Sequence, residues 1–282
     1  DTSRSRRAVF VLTVVVVVAL AVVVREPGTI DVPTAVVLGV IEGVTEFLPV
    51  SSTGHLTVAE RLLDLHGSAA DAYVIVIQAG AILAVVVLYR ARLRTLAAGI
   101  SGRDAVGRRV AVGLAIAFGP AALLGVALGD TIKSRLFGVG PVAGAWAVGG
   151  VLILVFSRRR AEAGQPLEHL AWRQAAMIGV AQAAALWPGV SRSLVTIIAA
   201  SLVGLSLPAA VEFSFLLGFV TLGAATAFEA ARTGPDIVDA YGLAAPVVGF
   251  VVAFAAAAAS VRWMVAHLSR GTLAVFGYYR LA

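Results

Sequence analysis

Glu42 and Glu46 stand four residues apart in LGVIEGVTEFLPVSSTGH (38–55), a stretch otherwise dominated by apolar side chains. On a helix this spacing puts both carboxylates on one face, about one turn apart. Two acids so placed hold a cation or transfer a proton. Pro49 ends that helix, and Ser51, Ser52, Thr53 and Gly54 follow with hydroxyls, free N–H groups and a flexible joint. The positive end of the next helix begins here and suits a phosphate. Ordinary N-capping by Ser or Thr is the rival use of the same residues. His55, three residues after Ser52, is a general base, general acid or nucleophile by type.

A second stretch, IGVAQAAALWPGVSRS (178–193), is a version of the first. A shift of 140 positions superimposes them without a gap: Gly39 on Gly179, Val50-Ser51 on Val190-Ser191, Glu42 on Gln182 and Ser52 on Arg192. Arg192 is the only basic residue of this second copy. Its guanidinium stays charged and suits bidentate phosphate binding, so it needs an anionic partner. That partner is a phosphate, or Glu42 or Glu46 in the empty state. Ser191 and Ser193 flank it as hydroxyl donors to the same ligand. Gln78, Gln182 and Glu212 are expected to support the cluster from behind, Gln78 by hydrogen-bonding between helices. Charged side chains at a bilayer centre cost roughly 2.5–3.5 kcal/mol each and are functional candidates.

The elements that must position these residues are membrane elements. Of 282 residues, 60% are hydrophobic and 13% charged, against about 25% charged in soluble domains. Mean hydropathy is +0.95. The chain has no cysteine, which excludes disulfides and thiolate chemistry, and its four histidines are scattered without zinc-ligand spacing. The net charge of +6 sits in short loops between apolar spans, as topology signals do, so a nucleic-acid partner is not expected.

Residues 8–24 follow a basic run and read as an extra N-terminal transmembrane helix or signal anchor, with a cleavable signal peptide as the rival. Residues 34–48 and 53–63 are too short to span and flank the Pro49–Ser52 break. They read as a re-entrant hairpin, tolerated at membrane depth where protein or water satisfies the opened backbone. Residues 72–89, 110–128 and 141–156 read as three spans. The plan then repeats, with a hairpin at 173–187 and 193–205, spans at 208–228 and 243–266, and a last helix from about Thr272 that looks cut short at Ala282. The expected division is 1–33 for the N-terminal segment, 34–156 for the first repeat, 157–171 for a cytoplasmic linker and 172–282 for the second repeat. Three crossings per half make the second half inverted. With the N-terminus inside, inner segments hold 15 Lys and Arg and outer segments 5, as the positive-inside rule requires. The two hairpins then open to opposite sides and their tips meet near the midplane. The fold class expected is an all-α integral membrane protein, an inverted-topology repeat in which each half is a re-entrant hairpin plus three transmembrane helices.

Two glutamates and a diphosphate carry more negative charge than Arg192 balances. A divalent cation on hard oxygen ligands, Mg²⁺ or Ca²⁺, is therefore expected, with Glu42 and Glu46 as its protein ligands. Gly144, Gly149 and Gly150 are small enough for close helix packing, either within the chain or across a homodimer face.

EGVTEFLPVSSTGHL and ALWPGVSRS resemble the two signature motifs of the bacterial undecaprenyl-diphosphatase family, linked to bacitracin resistance. YVIVIQAGAILAVVVLYR, GDTIKSRLF, EFSFLL and the terminal FGYYR extend the likeness over about residues 34–282. The resemblance implies an inner-membrane enzyme, acting on the periplasmic or extracellular side. It would hydrolyse undecaprenyl diphosphate to undecaprenyl phosphate and inorganic phosphate, recycling the lipid carrier for cell-wall synthesis. Its functional positions fall on Glu42, Glu46, Ser51, Ser52, His55 and Arg192. Arg192 and the Ser51–Gly54 backbone take the diphosphate, Glu42 and Glu46 serve metal or proton transfer, and Ser52 is the leading nucleophile with His55 activating it. His55 or water as nucleophile stays open, as does a transporter that flips a polyprenyl phosphate. Leu194 and Val195 replace the Gly and Ala of the family pattern, and the proline usual after FSFLL is absent around Gly218-Phe219-Val220, so a kink there is expected to be lost.

Overall fold

The computed structural model describes residues 29–65, 67–136, 138–158, 164–269 and 272–282. The N-terminal helix expected at 8–24 lies outside these. The described residues form helices and no β-strand. Asp31 caps α1 (Val32–Thr45) by accepting the Thr34 N–H at 2.9 Å, the usual device for an orphan donor at a helix start. After the Pro49 break comes α2 (Ser52–Leu62). Then follow α3 (Ser68–Leu88), α4 (Arg90–Ile100), α5 (Ala105–Leu136) and α6 (Val139–Ser157). The second half holds α7 (Trp172–Gln182), a 3₁₀ turn at Ala183–Leu186, α8 (Arg192–Leu202), α9 (Leu207–Tyr241), α10 (Ala244–Leu268) and α11 (Ala274–Leu281). Among the described residues four helices are long and apolar enough to cross a membrane, within α5, α6, α9 and α10. The bent pair α3 and α4 makes a fifth candidate span. The protein is a multi-pass membrane protein.

The two halves break at the same place. Ser51 has φ 73° and Ser191 φ 78°, both non-glycine residues in a sparsely populated backbone region. Each then caps the following helix, Ser51 Oγ accepting Gly54 N–H and Ser191 Oγ accepting Leu194 N–H. The hairpins are held by the opposite half in a matched way. Helix α1 packs on α10, and α7 packs on α5. A Cβ on Gly39 would come 2.7 Å from the Gly249 carbonyl oxygen, and one on Gly179 2.6 Å from that of Ala117. The superimposable glycines thus perform the same close backbone approach. Both breaks share one apolar core: Phe47, Leu48 and Val50 from the first, Leu194 and Ile197 from the second, Phe213 and Phe215 from α9.

Some elements differ from the sequence reading. The connecting segment expected at 90–109 contains α4, folded back by 82° from α3, because Arg90, Arg92 and Arg94 cannot continue an apolar span. Helix α9 runs unbroken through Gly218, in keeping with the missing proline. Gly149 and Gly150 face Arg280 and Leu281 of α11, whereas a Cβ on Gly144 would meet open space. Two of the three glycines therefore serve packing within the chain.

Candidate active site

The end of α1 and the starts of α2 and α8 converge. Ser52 Oγ donates to Glu46 Oε2 at 2.5 Å, and Arg192 Nη2 donates to Glu46 Oε1 at 3.1 Å. A carboxylate from one repeat thereby joins a hydroxyl of its own hairpin to a guanidinium of the other. Both Glu46 and Arg192 are nearly excluded from solvent. Arg192 Nη1 donates to the Ser214 carbonyl at 3.0 Å, and its guanidinium lies 5.7 Å from the Phe47 ring centroid. Its Nε has no partner among the described residues. Glu42, one turn before Glu46, is 1% exposed, and its Oε1 meets no donor there. In a buried site an unmet carboxylate oxygen is costly, so Glu42 holds a ready position for a cation or a proton. Ser193 Oγ donates to the Leu48 carbonyl at 2.8 Å and lies 3.0 Å from Ser191 Oγ. These two serines knit the breaks together. Thr53 is exposed at the start of α2, and Gly54 lies flat under the Trp146 indole, where a side chain has no room.

His55 is held differently from expectation. Its Nδ1 lies 2.7 Å from the Ser51 carbonyl, which can only accept, so Nδ1 carries the proton. Its Nε2 then accepts from the Tyr279 hydroxyl at 2.7 Å. The ring packs between Trp146 and Tyr279. Ser52 has Glu46, not His55, on its hydroxyl. Three-residue spacing on a helix allowed the Ser52–His55 pairing, but the aromatic pair draws the imidazole to the α6–α11 side.

The supporting polar residues separate. Gln182 donates to the Ala117 carbonyl at 3.3 Å and accepts from Thr221. Gln78 accepts from Thr226 across the α3–α9 contact at 2.9 Å, the interhelical bond its position implied. Glu212 stands apart from the cluster: Arg92 binds it at 2.6 and 3.3 Å and also reaches Glu168 at 2.7 Å. This triad ties α4 and the inter-repeat segment to α9. The Glu168 carboxyl is held below its ordinary value by a hydrogen bond from its own backbone and by Arg92.

Sequence reasoning left several contributors without a role. Tyr279, Trp146 and Arg280 come from helices outside both motifs, and Ser214 meets Arg192 through its carbonyl while its hydroxyl lies 2.7 Å from Thr196 Oγ1. The one available signal was a basic residue inside the apolar AVFGYYRL of α11. Gly218 is a further contributor, because a Cβ there would come 2.6 Å from Arg192 Cζ and 2.7 Å from Nη2. Gly218→Ala should improve helix propensity while pushing the guanidinium off Glu46. We expect a phosphate-release rate down about tenfold or more, as for other small misplacements of a catalytic group, and a lowered melting temperature, since the buried Arg192–Glu46 pair is parted. Wild-type turnover would remove the steric argument.

Among the described residues no three His, Cys, Asp or Glu side chains converge on one point. Glu42 and Glu46 can supply hard oxygen ligands, one of them unmet, but any cation would take its remaining ligands from elsewhere. That pattern suits Mg²⁺, which binds through one or two carboxylates plus substrate phosphate and water.

The chain is similar in sequence to several named proteins. Undecaprenyl-diphosphatase of Sorangium cellulosum (strain So ce56) is 49% identical over 253 residues, covering 88% of this chain and 82% of its own. Undecaprenyl-diphosphatase 2 of Rhodospirillum rubrum is 46% identical over 251 residues, covering 88% and 90%. Undecaprenyl-diphosphatase of Acinetobacter baumannii (strain AYE) is 40% identical over 252 residues, covering 89% and 92%. The family model described as Bacitracin resistance protein BacA matches residues 35–282, and the chain belongs to that family.

Proposed function

We propose that this protein hydrolyses undecaprenyl diphosphate to undecaprenyl phosphate and inorganic phosphate, returning the lipid carrier for envelope polymer synthesis. The observation that carries the reading is the Ser52–Glu46–Arg192 contact: a hydroxyl nucleophile, its proton acceptor and a phosphate-binding cation in one buried place. The likeness to undecaprenyl-diphosphatases names the lipid. The isoprenoid tail lies among the apolar faces of the helices, and the headgroup enters at the hairpin tips. The excess of basic residues on one set of connecting segments supports an orientation in which the first hairpin opens, and the chemistry takes place, on the periplasmic or extracellular side.

When substrate enters, the terminal phosphate takes the guanidinium that Glu46 holds in the empty site. The Ser51–Gly54 backbone at the start of α2 offers N–H donors to the same oxygens. Glu46, freed from Arg192, accepts the Ser52 proton as Oγ attacks the terminal phosphorus. The bond from phosphorus to the bridging oxygen breaks, and undecaprenyl phosphate leaves. Water then cleaves the phosphoserine, releasing phosphate and restoring the hydroxyl. A route through His55 needs Nε2 released from Tyr279 first. Glu42 and Glu46 would hold a divalent cation, which supplies neutralisation of phosphoryl charge when bound. A lipid flippase, the rival reading, has no use for a hydroxyl set on a carboxylate.

The test is phosphate release from polyprenyl diphosphate by purified protein in lipid nanodiscs. We expect turnover with Mg²⁺ or Ca²⁺ and its loss with chelator, restored by added cation. Full turnover in excess chelator would remove the cation from the reading, and no release under any condition would remove the phosphatase.

A further inference from the structure

Arg280 is 5% exposed, and all three of its nitrogens donate to main-chain carbonyls. Nε reaches Trp146 at 3.2 Å; Nη1 reaches Pro49 at 3.3 Å and Val190 at 3.4 Å; Nη2 reaches Ala145 at 3.0 Å and Gly189 at 2.7 Å. Five bonds match the five N–H donors of a guanidinium. Pro49 and Gly189 are the positions that the 140-residue shift superimposes. One side chain, from a helix outside both hairpins, therefore holds the same point of both breaks. Two residues further on in each break lies the serine with positive φ. Such a conformation persists only where its surroundings over-determine it. Carbonyls opened by a broken helix at membrane depth also need internal donors. No carboxylate is among the partners, so the positive charge is uncancelled beside the hairpin tips. The preceding residue, Tyr279, carries the hydroxyl that holds His55.

We propose that Arg280 is a positioning residue for phosphoryl transfer: it sets the relative placement of the two hairpin breaks and presents an uncancelled positive charge to the headgroup without touching it. The functional half of this rests on the phosphatase reading; the structural half does not. Loss of the guanidinium takes the donor from the break carbonyls of Pro49, Gly189 and Val190 and lets the breaks drift, which separates Ser52 and Glu46 on one hairpin from Arg192 on the other.

Three variants separate geometry from charge. Arg280→Met removes both. Arg280→Lys keeps charge but has three donors on a flexible stem and cannot bridge both breaks. Gly149→Ala keeps the arginine at position 280 and favours the helix, yet its Cβ would lie 2.7 Å from Arg280 Cζ and 2.9 Å from Nε, displacing the guanidinium. The chain lacks cysteine, so spin labels can be placed at Val58→Cys on α2 and Leu202→Cys on α8, both exposed.

We expect a narrow inter-label distance distribution in the otherwise wild-type protein and a broad one in all three variants. In nanodiscs, kcat should fall about 10²-fold in both Arg280 variants and about tenfold in Gly149→Ala. KM for polyprenyl diphosphate should rise only in Arg280→Met. Unchanged distances and near-wild-type kcat in Arg280→Lys and Gly149→Ala would overturn the proposal, as would broadened distances with kcat intact. An equal rise of KM in Met and Lys would overturn the charge component. If Arg280→Met fails to assemble, the other two variants still decide. If the wild type releases no phosphate, the phosphatase reading fails, while the distances still report whether Arg280 sets the breaks.

Discussion

Arg192→Ala is expected to cut kcat/KM for phosphate release by about 10²–10³-fold, the range for removing a preorganised charge-stabilising donor. It should also destabilise the fold. Arg192 and Glu46 are both buried, and removing one partner of a buried pair leaves the other uncompensated, at about 3–5 kcal/mol. The two effects separate in a cycle with Glu46→Gln. The amide still accepts from Ser52 but carries no charge, so Arg192→Ala in that background should cost much less stability and still lack activity. Thermal unfolding in detergent and phosphate release in nanodiscs measure both quantities. An Arg192→Ala enzyme within tenfold of wild type would end the assignment of Arg192 to the phosphate. An unfolding temperature equal to that of wild type would show that the pair adds nothing to stability.

Ser52→Ala is expected to abolish turnover to the limit of the assay, at least 10³-fold or about 4 kcal/mol of transition-state stabilisation. Substrate binding should persist, since Arg192 and the α2 N-terminus remain. The same experiment distinguishes the two nucleophiles. A wild-type enzyme quenched during turnover should carry an acid-stable phosphoester, and Ser52→Ala should carry none. An acid-labile phosphoryl group that survives in Ser52→Ala and disappears in His55→Ala would transfer the nucleophile to His55. Glu46 as the hydroxyl's partner also implies that Glu46→Gln slows the chemical step, because an amide oxygen is too weak a base to take the serine proton.

The site was partly legible before any coordinates. Polar residues that interrupt apolar sequence are expensive, so Glu42, Glu46, Ser52 and Arg192 stood out, and the 140-residue repeat argued that they share a site. The 3.1 Å contact between Arg192 and Glu46 is that convergence. Side-chain direction was not legible. His55 lies near Ser52 in sequence, yet two aromatics far along the chain orient its ring. Glu212 read as a support for the cluster; its partner, Arg92, lies 120 residues away and on another helix.

Residue types and their period therefore determined by themselves that this chain is helical, multi-pass and internally duplicated, and which polar groups the membrane must justify. Burial energies act residue by residue, and the sequence states them directly. The tertiary structure alone decided who holds whom: Glu46 rather than His55 on Ser52, Tyr279 on His55, and Arg280 on both breaks. The first joins residues six apart across the Pro49 break, and the other two depend on hydrogen bonds between groups 90 to 231 residues apart. Their few-ångström geometry is set by how α6, α9 and α11 pack around the hairpins, and no local pattern encodes it.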